Sequence, residues 1–446
     1  MGDSSLENAA ADSLAPHSCT IAYSEPLRRL LRQVVDLAAP LRVALVGGAV
    51  RDLLLHRPHN DPRLGLPDLD LIVEESTPGV RAPAAHRVAI TLRQQLGKAV
   101  SLFHLHDAFG TAELEVNGIL LDIATARQEH YPEPGSHPVV QFGSLEDDLS
   151  RRDLSINAMA MVLDPRENNT AHLLDPFDGR SDLARHQLRF LHADSLRDDP
   201  TRIVRAARYG ARLGMDLSKA SLIQVHTTLA DWPWQIKSRG SLPGLGTRLR
   251  SELELLLGRE PWEKALMLLQ QWGSLVLLDP GLQHDRHWLR RLRRAQRLAA
   301  RLERPPWPQE EWLLLALLAR LDDPLTLAKR LQLAGRCHRL LTELLRLRGW
   351  VCQTATEPEW SPSRLSQALE RQGFSPEGVT LLLAAYSGLE FPPRLRRGLL
   401  RWLLHWRTLR AEPTADDLIA AGERPGPGLG MRLRQLRAER LDRQRW

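Results

Sequence analysis

Strand-like alternation in this chain is confined to its first part; beyond Leu183 it gives way to Leu- and Arg-rich stretches of helical period. All the tryptophans follow residue 230, beginning at Trp232. A chain divided in this way builds two architectures in succession. At 446 residues, two to four domains of roughly 150 residues each are expected. The early part carries strand-like runs at 43–46, 68–74, 100–106, 111–116 and 119–124, and helical patterns at 49–55 and 83–96. Asn117-Gly118 between two of those runs is a hairpin signal. The expected fold class is α+β: a mixed head over 26–163, an all-α neck over 164–245, and a helical body and tail over 246–446. Residues 1–25 show no clear period and are expected to form a poorly ordered tail.

Composition narrows the function classes. Cys19, Cys337 and Cys352 are far apart and lack a CxxC spacing, which argues against a disulfide framework or a structural zinc. No charged-then-apolar leader opens the sequence, and no run of about 18 uncharged apolar residues occurs. A cytoplasmic protein without membrane contact is expected. The pI near 9.6 and the dominance of Arg among the basic residues suit nucleic-acid binding, and equally suit a plain arginine-rich surface.

Asp68-Leu69-Asp70 opens a predicted strand, so alternation puts both carboxylates on one face and Leu69 and Leu71 on the other. Two such charges side by side repel unless cations bridge them. Carboxylate oxygens suit Mg²⁺, and two ions about 3.5–4 Å apart can activate a hydroxyl and stabilise a leaving pyrophosphate. Asp122, inside an apolar strand, is the candidate third carboxylate, since a charge placed there needs a partner or a metal. A DxD alone also fits a turn or a solvated strand edge. Upstream, Gly47-Gly48-Ala49-Val50-Arg51-Asp52 follows a strand and opens a helix. Glycines there let the backbone approach a phosphate, and Arg51 can add a charge-assisted bond. The spacing is neither GxGxxG nor a Walker A loop.

The order of these motifs resembles the class II nucleotidyltransferases, the CCA-adding enzymes and bacterial poly(A) polymerases with a polymerase-β-like head. Four further segments extend the resemblance: Asp122 to Arg127; Arg151-Arg152-Asp153 with Asn157-Ala158-Met159; Asp175-Pro176-Phe177 with Gly179, Asp182 and Leu183; and Asp198-Asp199-Pro200-Thr201-Arg202 with Arg205 and Arg208. Together the motifs span 43 to about 214. The resemblance implies metals on Asp68, Asp70 and Asp122, and nucleotide contacts from Gly47, Gly48, Arg51, Arg152, Asp153, Asn157, Asp199, Arg202, Arg205 and Arg208.

Some of these residues have plainer readings. Asn157 lies four residues after Asp153, so the two can share a helix face and form a surface bond. Asp199 before Pro200 suits an N-cap with Pro at N1. An acceptor-only carboxylate beside a donor-only guanidinium also matches the amino and ring-nitrogen edge shared by cytosine and adenine, and mismatches uracil and guanine. Arg202, Arg205 and Arg208 form a basic stripe, the usual look of a solvated face.

In the second half, Arg290, Arg291, Arg293, Arg294, Arg297 and Arg301 crowd one segment and Arg432 to Arg445 another, where they can meet RNA phosphates. The tryptophans in the Leu-rich stretches suit core packing. Asp416 to Gly422 resembles a C-terminal element of long bacterial members. His284-Asp285 lacks the further ligands that a metal-dependent phosphohydrolase needs.

The reading is an Mg²⁺-dependent enzyme that adds C and/or A from CTP and ATP to the 3′ acceptor end of tRNA, releasing pyrophosphate. The rivals are a poly(A) polymerase and a catalytically inactive RNA-binding protein. The split between CCA, CC and A addition, the identity of the RNA and the oligomeric state are not legible.

Overall fold

A computed structural model describes residues 17–20, 24–61, 64–75, 82–163, 170–232, 243–302, 307–354, 360–386 and 391–444. The chain folds into two compact units. The first runs to Leu245 and takes back Arg259–Ser274; the second comprises Gly246–Gly258 and the residues from Leu275 onward.

The first unit is built on one mixed sheet of eight strands. In chain order these are β1 (His17–Thr20), β2 (Val43–Val46), β3 (Asp68–Val73), β4 (Val100–His106), β5 (Thr111–Val116), β6 (Ile119–Thr125), β9 (Ala160–Leu163) and β10 (Thr170–Leu174). A separate antiparallel ribbon pairs β7 (Arg127–His130) with β8 (Val139–Phe142). The sheet order is β1-β10-β9-β2-β3-β6-β5-β4, and β3 with β6 is its one parallel pair. Parallel neighbours need a crossover. Here it runs through helix Ala84–Leu96 and the β4–β5 hairpin.

Each face of the sheet is closed by a helix whose apolar positions recur at helical spacing. Helix Glu25–Ala38 buries Leu30, Leu31, Val34, Val35 and Ala38, and helix Ala84–Leu96 buries Val88, Ala89 and Leu92. On the other face, Leu145 and Leu149 of helix Leu145–Ser150 pack with Ala44, Val46, Ile72 and Ala160. That helix starts on a capping box, in which Asp147 N–H donates to Ser144 Oγ and Ser144 N–H donates back to Asp147. Ile72 shares its face with Asp68 and Asp70. The helix therefore covers one end of β3 and leaves the carboxylate end open.

Three expectations are corrected here. The tail over 1–25 contains a strand: β1 pairs with β10, from His17 opposite Leu173 to Thr20 opposite Thr170. Residues 1–16 and 21–23 lie outside the described residues. The boundary near 165 falls in 164–169, also outside them, and the sheet continues past it through β10. The stretch over 164–245 is not all helical, because Gln187–Leu188 also pairs in parallel with Asp216–Leu217. The boundary expected between 245 and 246 falls within helix Pro243–Arg259.

Helix Trp262–Gln271 packs against helix Thr201–Leu213 within the first unit. The second unit is helical throughout its described residues. Trp312, Trp402 and Trp406 are buried in it, as their Leu-rich surroundings predict, Trp350 is partly buried, and Trp288 beside the Arg cluster is buried too. In the first Arg cluster, Arg291 is buried and paired with Asp285 at 2.5 Å, while Arg290, Arg293, Arg297 and Arg301 are not buried. Near the C-terminus, Arg437 pairs with Glu370 and Arg440 with Glu412, and Arg445 lies outside the described residues. No helix among the described residues is long and apolar enough to cross a membrane.

Candidate functional site

The parallel register of β3 and β6 sets Asp70 directly beside Asp122, with Asp68 two residues along on the same face. One carboxylate oxygen from each of the three lies within 4.8 Å of the others. No ion pair engages any of them among the described residues. Burial, and then the charge of Asp70, push Asp68 up to about 6. Burial, followed by Asp70 and Asp68, pushes Asp122 up to about 7. Such a crowded all-oxygen set has the chemistry of a hard divalent cation site.

Beside it lies a cavity of about 390 Å³ lined by Gly47, Gly48, Asp68, Asp70 and a ring of guanidiniums. Its floor is the turn between β2 and helix Gly48–Leu54. Gly47 holds φ +69°, which favours glycine, and a Cβ there would stand 2.8 Å from Arg152 Nη1 and push that side-chain tip aside.

Arg51 is 1% exposed. Its Nε and Nη2 donate to Asp52 at 2.8 and 2.9 Å, and its Nη1 donates to Asn157 Oδ1 at 2.8 Å. Its guanidinium also lies over the Tyr209 ring, 5.0 Å from the centroid. Arg51, expected to bond a phosphate, has Asp52, Asn157 and the Tyr209 ring as partners here and lines the cavity. Asp52 in turn meets His59 Nδ1 at 2.6 Å.

Arg151 and Arg152 both reach Asp148, which is fully buried. Burial raises Asp148, but the two guanidiniums outweigh it and hold the carboxyl below its usual range. Arg151 also donates to Glu129 at 2.9 Å.

Asp153 and Asn157 do bond, Asn157 Nδ2 donating at 3.0 Å, but not on a helix face. Leu154 N–H donates to the same carboxylate at 2.8 Å, and a short 3-10 turn, Ser155–Asn157, brings the amide round. The other Asp153 oxygen accepts from Arg205 Nε at 2.8 Å. The turn is packed tightly: a Cβ on Gly179 would fall 2.3 Å from Ser155 O, and Ser155 Oγ donates to Asp182 at 2.5 Å.

Asp199 stands one residue ahead of Pro200, the N-cap of helix Thr201–Leu213, and its Oδ1 accepts from Thr201 N–H at 3.0 Å and from Thr201 Oγ1 at 2.7 Å. Arg202 Nη1 donates to Ser195 Oγ at 2.6 Å and Nη2 to Arg151 O at 2.8 Å. The basic stripe is not a solvated face. Arg202 and Arg208 are buried, and Glu260, 1% exposed in its side chain, pairs with Arg208 at 3.4 Å and with Arg212. All the candidate residues line this cavity except Asp122, which opens onto a neighbouring one.

The reading of the sequence missed His59, Glu129, Tyr209 and Arg212, which line the same cavity. Arg212 had a signal, since it continues the Arg202–Arg205–Arg208 row one turn on. Glu129 had none.

Residues 43–189 match the poly A polymerase head domain family. The chain is 40% identical over 243 residues to the CC-adding tRNA nucleotidyltransferase of Deinococcus radiodurans, covering 54% of this chain and 56% of that one. It is 33% identical over 253 residues to the A-adding tRNA nucleotidyltransferase of Aquifex aeolicus, covering 56% of this chain and 27% of that one. It spans about half the length of the first of these curated relatives and about a quarter of the second. The Thermotoga maritima CCA-adding enzyme complexed with tRNA CCA shares the fold, at TM-score 0.66 and 23% identity over 96% of each chain. A CCA-adding enzyme in apo form II does so at TM-score 0.70 and 24% identity over 96% of each.

Proposed function

We propose that this chain is a template-independent nucleotidyltransferase that adds C and/or A to the 3′ end of tRNA, working in the cytoplasm. The carrying observation is the convergence of Asp68, Asp70 and Asp122 within 4.8 Å at the edge of an arginine-lined cavity. Three carboxylates without an ion-pair partner among the described residues fit a pair of Mg²⁺ ions, which supply Lewis acidity at the attacking and leaving oxygens when bound.

The arginine-lined cavity takes the nucleoside triphosphate. Gly47 and Gly48 let its phosphates approach the backbone, and Arg152, Arg205 and Arg208 offset its charge. Asp153 and Asn157, fixed to one another, face the sugar. Asp199 and Arg202 select the base by accepting from the exocyclic amine and donating to the adjacent ring nitrogen, which C and A offer and U and G do not. For that, Asp199 exchanges its bond to Thr201, and Arg202 its bond to Ser195, for the base edge. The acceptor 3′-oxygen forms a bond to the α-phosphorus, the α–β bridging bond breaks, pyrophosphate leaves with the electron pair, and the hydroxyl proton passes to water.

The relatives named for CC or A addition support tRNA as the acceptor. The test is transfer of single labelled nucleotides, with Mg²⁺, to tRNAs ending at the discriminator base, in C and in CC, and to an unstructured oligonucleotide. Addition of C, of A or of both confined to the tRNA acceptors is expected. Long A tails on any acceptor move the assignment to poly(A) polymerase. No transfer to any acceptor, with RNA binding retained, defeats the proposal.

A further inference from the structure

The three carboxylates stand between two cavities, and they divide unevenly. Asp68 lines only the arginine-rich cavity, and Asp122 only a second one of about 440 Å³; Asp70 lines both. The second cavity extends over β5 and the end of β4, and beyond the shared Arg151 and Arg152 its polar side chains include His106, Thr111 and Glu113. Glu113 sits directly opposite Asp122 in the β5–β6 register. His106 Nε2 lies 3.8 Å from Glu113 Oε2, with both side chains about half exposed. An ion pair that exposed is weak and exchanges with a ligand at little cost.

In-line displacement places the attacking and leaving oxygens on opposite sides of the phosphorus. If the triphosphate lies among the guanidiniums, its pyrophosphate leaves on the Asp68 side. The attacking hydroxyl then arrives from the Asp122 side, through the second cavity. The charge there fits: away from the shared Arg151 and Arg152, its carboxylates and imidazole suit a sugar's hydroxyls and disfavour a polyphosphate. A ribose 2′-hydroxyl both donates and accepts, matching Glu113 and His106 together.

We propose that this second cavity holds the 3′-terminal ribonucleoside of the acceptor RNA, with Glu113 and His106 bonding its 2′-hydroxyl and its 3′-hydroxyl turned toward Asp70 and Asp122. The assignment rests on the transferase reading above and deepens it. It gives the chain a way to demand a ribonucleotide end, separate from the residues that select the incoming base.

The experiment compares two tRNA acceptors, identical except that one carries a 2′-deoxy terminal nucleotide. Wild type, Glu113→Gln and His106→Ala are each assayed for acceptor kcat/KM and for Mg²⁺-dependent binding of the nucleoside triphosphate. Wild type is expected to prefer the ribose end by about tenfold, equivalent to about 1.4 kcal/mol. Each variant should bring that ratio to within about twofold by losing rate on the ribose end alone, with triphosphate binding unchanged. The deoxy acceptor is the internal control, because a misfolded variant loses both substrates equally. An unchanged ratio in a variant that still binds the triphosphate, equal losses on both acceptors with triphosphate binding intact, or no preference in wild type overturns the acceptor site while leaving the transferase reading standing. Absence of wild-type transfer to any acceptor takes down both.

Discussion

The two sides of the cleft treat charge in opposite ways. On the β3–β6 side, Asp68, Asp70 and Asp122 crowd together with no cation among the described residues, and two of them are pushed toward neutral pH by burial and by one another. On the helical side, the guanidiniums already have partners: Arg51 with Asp52, Arg151 and Arg152 with Asp148, Arg205 with Asp153, Arg208 and Arg212 with Glu260. On the proposed reading, the first side is completed by cations from solution. The second is prebuilt, so its role is to fix direction more than to supply net attraction. Removing a carboxylate should therefore have opposite consequences on the two sides, costing activity but not stability on one and stability on the other.

The largest effect is expected at Asp70, which faces both cavities. Asp70→Asn should lower kcat on the order of 10³-fold, about 4 kcal/mol of transition-state stabilisation. The thermal midpoint should hold or rise. Parallel transfer assays and melting curves check this, and a folded variant with full activity breaks the comparison at its centre. Next comes Glu260→Gln on the other side. It removes the carboxylate that pairs with buried Arg208 and with Arg212, and breaking such a pair costs about 3 kcal/mol. Urea denaturation reads that loss. An unchanged midpoint would mean that the arginine side is not held by its own carboxylates.

Much of this contrast was hidden in the sequence, for reasons that particular residues show. Local patterns were legible: the strand expected over 68–74 is Asp68–Val73, and Asn117-Gly118 makes the expected hairpin turn with φ of +51° and +78°. The pairing of Asp70 with Asp122 follows from strand register once β3 and β6 are neighbours, and a helix start at Asp199-Pro200 was readable, one residue from the observed N-cap. Partners distant in sequence were not. The basic stripe looked solvated because Asp153 and Glu260 each lie 52 residues from the arginines they hold. Arg51 looked available for phosphate because Asn157 is 106 residues away. His17–Thr20 has no period of its own and becomes a strand only against β10. Asp153 and Asn157 have helical spacing, yet the Leu154 and Ser155 backbone turns out to meet Phe190 and Arg189.

A smaller effect belongs to the base-reading end of the arginine side. Arg202 is positioned by two bonds, to Ser195 Oγ and to the Arg151 carbonyl, and Lys cannot make both in the same plane. Arg202→Lys should reduce discrimination between CTP and UTP about tenfold to a hundredfold, measured as the ratio of kcat/KM values with tRNA acceptor. Stability should change less than in Glu260→Gln, since a positive charge remains. A ratio that stays at the wild-type value would remove Arg202 from base selection.

The smallest effect tests the carboxylate side through pH. Asp68 and Asp122 have folded-state values of about 6 and about 7, above the ordinary carboxylate value of 3.8. The folded state then binds protons more tightly than the unfolded chain, so metal-free stability is highest below about pH 4 for these groups. It falls as pH rises through the window from about 4 to 7 and stays low above it. A divalent cation reverses the loss by neutralising the same charges, and it competes with protons for them. Mg²⁺ should therefore raise the melting temperature by a few degrees at about pH 8, where about 1 kcal/mol corresponds to roughly 2–8 °C depending on domain size, and by much less at about pH 5. Asp122→Asn should reproduce part of that gain at the higher pH without any metal, because it relieves the same repulsion. Equal Mg²⁺ shifts at both pH values, or an Asn variant that melts lower than wild type in chelator, would show that the three carboxylates are held by the fold and do not wait for cations.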